Sequence, residues 1–99
     1  MKNMSISIED HPDSNKFHAM IKSLIESRLE DHCILCNIQV ELSQSDDKRV
    51  PHTVNIKAIL ANKEVVETTA SSVNSLAAFT QALQRLERRF DKMKYARRA

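Results

Sequence analysis

At 99 residues, with 41% hydrophobic and 28% charged side chains, the chain is sized for one domain with one core and is neither disordered nor fibrous in composition. No run approaches the roughly 18 consecutive apolar residues of a membrane-spanning helix. The start Met1-Lys2-Asn3-Met4-Ser5 also lacks the apolar block of a secretory signal, so a cytoplasmic chain is expected. The net charge of +2 hides a split: residues 1–69 carry 8 Lys plus Arg against 11 Asp plus Glu, a balance of −3, whereas residues 70–99 carry 7 against 2, a balance of +5. An excess so localised suits contact with an anionic polymer or surface.

Met4, Ile6 and Ile8 alternate with Ser5 and Ser7, the period of a strand with one buried face. After the turn residues Asp10 to Asp13, Asp13 or Ser14 is placed to cap a helix with apolar positions Phe17, Met20, Ile21, Leu24, Ile25 and Leu29. A second strand is predicted from about Ile34 to Leu42, followed by a polar loop from Ser43 to Arg49 closed by Pro51. Thr53 to Leu60 reads as a third strand, and Lys63 to Thr69 as a fourth. The turn between them falls on Ala61-Asn62-Lys63, with Asn62 best suited to positive φ in a chain that has no glycine. Ser71 or Ser72 is then expected to cap a long helix running to about Tyr95.

The order β-α-β-β-β-α predicts an α+β fold. Strands one and two would be parallel through a right-handed crossover, and strands two to four antiparallel neighbours. With one apolar face on every element, both helices belong on one side of a four-stranded mixed sheet, leaving the other face open. No repeat or linker divides residues 1–99, which are read as a single domain.

The last helix carries the functional signal. Leu76, Phe79, Leu83, Leu86, Phe90 and Met93 are spaced 3, 4, 3, 4 and 3, a single stripe for the sheet. At about 100° per residue, Arg85, Arg88 and Lys92 fall within an arc of about 60° well away from that stripe. Arg89 lies beside them, Glu87 and Asp91 lie on the opposite flank, and Lys94, Arg97 and Arg98 extend the positive charge. A solvated helix face ordinarily mixes signs. Clustered Lys and Arg instead match phosphates, whose neutralisation releases counterions, and arginine adds bidentate bonds.

Cys33 and Cys36 form one Cys-x-x-Cys pair, which with His32 and His52 would make a set of zinc-ligand types. Cys36 also begins the alternation Cys36, Ile38, Val40, Leu42, which marks it as a small hydrophobe of a strand. The latter reading is preferred, so no metal or other cofactor is expected. His11, His18, His32 and His52 are scattered, as surface residues are, and no convergent acid, base and nucleophile suggest an enzyme.

The element order and the segment Arg85-Leu86-Glu87-Arg88-Arg89-Phe90-Asp91-Lys92-Met93-Lys94, with Ala77-Ala78-Phe79 before it, resemble the ribosome hibernation promoting factor and ribosome-associated inhibitor family. That family is related to the S30EA and sigma-54 modulation proteins, and the resemblance spans about Met4 to Tyr95. It implies a non-enzymatic translation inhibitor whose Arg85, Arg88, Lys92 and Lys94 contact small-subunit ribosomal RNA, with Lys22 and Arg28 as the corresponding cations of the first helix; Arg89, beside them on the helix, is added to this RNA-binding set. By the same resemblance the partner is the small ribosomal subunit, occupied in the mRNA channel and the A and P sites in starved or stationary cells. No membrane or small-molecule substrate is expected. The chain resembles a short form without the dimerisation domain of longer members, and its oligomeric state is left open. The stretch Asn74-Ser75-Leu76-Ala77-Ala78-Phe79-Thr80 departs from the family pattern by lacking a tyrosine and two acids. A protein-interaction or stress adaptor on the same fold, without ribosome binding, is the alternative.

Overall fold

The computed structural model describes residues 4–9, 15–29, 36–44, 46–60 and 63–98, without the side chains of Met4, Cys36 and residues 93–98. The alternation at the start of the chain becomes β1 (Met4–Ile8), followed by α1 (His18–Leu29), β2 (Cys36–Gln44), β3 (His52–Leu60), β4 (Val65–Ser72) and α2 (Ser75–Arg98). The sheet order is β1-β2-β3-β4, parallel between β1 and β2 and antiparallel across the other two pairs, as the pattern predicts.

Alternate residues of each strand build one buried layer. Ile38, Val40 and Leu42 of β2, Val54, Ile56, Ala58 and Leu60 of β3, and Val66 and Ala70 of β4 all face it. Ile21, Ile25 and Leu29 of α1 close over this layer together with Ala78, Phe79, Ala82, Leu83, Leu86 and Phe90 of α2. Ile6, Ile8, Phe17, Leu24 and Leu76 pack half-buried at its margin. Such burial, at about 25 cal/mol per Å² of apolar surface, is the main favourable term of the fold. A buried hydroxyl pins helix to sheet: Thr68 Oγ1 donates to the Ala82 carbonyl at 3.0 Å.

The boundaries differ from expectation for identifiable reasons. β2 extends to Gln44 because Ser43 and Gln44 pair with Thr53 and His52, so the loop shrinks to the tight turn in which Val50 N–H donates to the Asp47 carbonyl. The expected residue Ile34 lies outside the described residues. β4 likewise continues through Ser71 and Ser72, which pair with Thr53 and His52, and neither serine is the helix cap. Asn74 takes that role, its Oδ1 accepting the Ala77 N–H at 2.8 Å.

In the β3–β4 turn, Lys63 adopts the left-handed conformation (φ 71°), which is costly for a residue with a Cβ; Asn62 lies outside the described residues. Lys63 N–H donates to the Leu60 carbonyl and Leu60 N–H to that of Glu64, closing the turn. Met20 is 48% exposed rather than packed. It stands about 140° around α1 from the fully buried Ile25, too far for the core-facing stripe. The proposed cap residues Asp13 and Ser14, and the side chain of Met93, lie outside the described residues.

Candidate nucleic-acid interface

The stripe Phe79, Leu83, Leu86 and Phe90 fixes how α2 is rotated on the sheet, and rotation decides where its cations go. Glu87 turns toward α1, where its Oε1 accepts from Arg28 Nη1 at 3.1 Å. The opposite flank lies over the outer strand β4, because Arg85 Nη1 donates to the Thr69 carbonyl. Arg88, Arg89 and Lys92 are exposed, and they form no hydrogen bond or ion pair among the described residues. The helix therefore sorts its charges, with the acid Glu87 on the flank that packs on α1 and an unneutralised ridge on the flank that does not.

The predicted cations are thus not gathered into one patch. Arg85, Arg88, Arg89 and Lys92 share the outer flank of α2. Arg28 is committed to Glu87, in a pair with side chains 42% and 25% exposed, whose stability contribution is about 1 kcal/mol or less. Lys22 is exposed about 120° around α1 from Arg28, on the flank turned away from α2. Lys94 lies on the last turns of α2, its side chain outside the described residues.

Two contacts had no sequence signal. The Arg28–Glu87 pair joins residues 59 apart in the chain. Arg85 meets a main-chain oxygen, which no residue type announces. His52, expected on the surface, begins β3 half-buried, with Nδ1 3.3 Å from the Ser75 hydroxyl. Among the described residues no group of three His, Cys, Asp or Glu side chains is placed to hold a metal ion. His11, His32 and Cys33, and the side chain of Cys36, lie outside them. In the β2–β3 turn the Arg49 side chain and main-chain N–H both donate to Asp47, which holds its carboxyl below the usual carboxylate range. No helix among the described residues is long and apolar enough to cross a membrane.

Fold and ridge together define a small α+β domain that presents one basic helix flank. The sigma 54 modulation protein / S30EA ribosomal protein family matches residues 5–98, and the chain belongs to it. Membership makes the protein a ribosome-associated factor of a non-enzymatic class, tied to ribosome hibernation and translation regulation. Solved structures share the fold, two of them across 90% or more of both chains. The Thermus thermophilus Protein Y N-terminal domain superposes with a TM-score of 0.68 at 15% identity, covering 90% of this chain and 94% of that one. A ribosomal subunit interface protein from Coxiella burnetii gives a TM-score of 0.69 at 15% identity, covering 93% and 97%. No curated protein sequence matches the chain.

Proposed function

We propose that the protein is a cytoplasmic translation inhibitor that silences idle ribosomes by binding small-subunit ribosomal RNA in the mRNA channel and the A and P sites during stress or stationary phase. The observation that carries this reading is the unneutralised ridge of Arg88, Arg89 and Lys92, with Arg85 beside it, on a member of a ribosome-associated family. Single-sign side chains on a rigid helix suit phosphates, and recognition of folded RNA rests largely on shape and backbone contacts. The grip would come from α2, with Lys94 extending it and Lys22 and Arg28 in secondary positions. No chemistry is required, because occupancy of the channel excludes mRNA and tRNA.

Co-sedimentation with purified small subunits at low and high salt tests this, with Arg88→Glu and Lys92→Glu as variants. The wild type is expected to pellet with subunits at low salt and to be released at high salt, and the variants to remain in the supernatant. Failure of the wild type to bind at low salt refutes the reading. Binding insensitive to salt and to both substitutions removes α2 from the interface and leaves a protein adaptor on this fold as the better account.

A further inference from the structure

β4 is an outer strand, paired with β3 on one side only. In an antiparallel ladder the N–H and C=O of a residue point the same way, and successive residues alternate. Leu60 N–H donates to the Glu64 carbonyl, which sets the alternation: Val66, Thr68, Ala70 and Ser72 bond within the ladder. Val65, Glu67, Thr69 and Ser71 therefore turn both main-chain groups to the free edge. The Thr69 carbonyl is accordingly the one that Arg85 reaches from α2. Among the described residues it is the only carbonyl of that edge to take a side-chain donor.

Arg85 thus stands between two surfaces. A guanidinium has five N–H donors in a planar fork, so one bond to Thr69 orients the group and leaves donors over. Along the same flank Arg88 and Lys92 follow at about 4.5 Å and a further 6 Å of helix rise. We propose that the groove between this ridge and the free edge of β4 is a track for one RNA backbone strand. Phosphates meet Arg85, Arg88 and Lys92, and ribose 2′-hydroxyls meet the outward carbonyl and N–H groups of Glu67, Thr69 and Ser71. The proposal rests on the ribosomal-RNA reading above and adds the sheet edge to it.

The chemistry selects ribose. Edge carbonyls repel phosphate but accept from a hydroxyl, while the neighbouring N–H groups donate to one, and the 2′-OH is both donor and acceptor. The exposed Glu67 carboxylate keeps phosphates on the ridge side of the edge. An added peptide strand fits less well, since Arg85 occupies the carbonyl in the middle of the edge and continuous strand pairing would have to expel it.

Amide hydrogen exchange followed by NMR on the full chain, with a single-stranded RNA, DNA of the same sequence and an alternating Glu-Val peptide as probes, provides the test. Bound RNA is expected to slow exchange at Glu67, Thr69 and Ser71, and DNA is not. Arg85→Lys, which keeps the charge but loses the fork, should weaken RNA about tenfold, the worth of one charged hydrogen bond. Thr69→Pro removes an outward N–H without breaking the ladder and should narrow the RNA-over-DNA preference. RNA that binds with the edge amides unprotected, equal affinity for RNA and DNA, or a peptide that protects the edge and displaces RNA would each overturn the track while leaving ribosome binding through the ridge intact. Loss of all RNA and subunit binding by the wild type would overturn both readings.

Discussion

Replacing Arg88 and Lys92 together by glutamine deletes two cations that the structure leaves exposed and without partners among the described residues. The fold should be indifferent, since neither side chain packs in the core. If each meets one phosphate, the slope of log affinity against log salt should become shallower by about 1.4, at roughly 0.7 per phosphate for a single strand. Over a threefold rise in salt, the wild type would then lose about fivefold more affinity than the double variant. The assay is small-subunit binding across a salt series, with Arg28→Gln as the comparison. Arg28 is already paired with Glu87 and should change the slope by less than one ridge cation does. An unchanged slope in the double variant, or an Arg28→Gln effect as large as that of Arg88→Gln, would refute the assignment of phosphate contacts to the outer flank of α2.

Leu86 is fully buried between α2 and the sheet, and Leu86→Ala should cost about 2–5 kcal/mol in denaturant unfolding, a large part of the stability of a domain this size. Asn74→Ala removes the cap on Ala77 N–H and should cost about 1 kcal/mol, lowering the melting temperature by about 4–8 °C. The Asp47 carboxyl should titrate by NMR below the ordinary value, first through the Arg49 side-chain hydrogen bonds and then the main-chain one, and Arg49→Ala should bring it back up. Because its folded pKa is depressed, any stabilisation is present above the unfolded value of about 3.9 and disappears as pH falls through the folded one.

The strands were legible because a single buried face imposes period 2 on the sequence, and the topology followed from connection lengths and strand handedness. Boundaries were less so, since pairing partners rather than composition decided them. Ser71 and Ser72 read as caps until β4 continued opposite Thr53 and His52, leaving Asn74 to cap. The apolar Met20 carried no mark of exposure until the rotation of α1 was set by Ile21, Ile25 and Leu29. The ridge was legible for the opposite reason: residues on one helix keep their angular relations whatever the tertiary structure. The Arg28–Glu87 and Arg85–Thr69 contacts depend on how separate elements meet, and the second involves an atom common to every residue.

The angular separation on α2 between the buried stripe and the ridge uncouples shape from surface charge. Stripe positions are constrained by volume and ridge positions by charge, so substitutions at one set leave the other unaffected. On the proposed reading, outer-flank residues can be exchanged without disturbing the buried stripe that sets the shape. Arg85 is the exception. Bonded to the sheet and bordering the ridge, it couples one charge of the outer flank to the architecture beneath it.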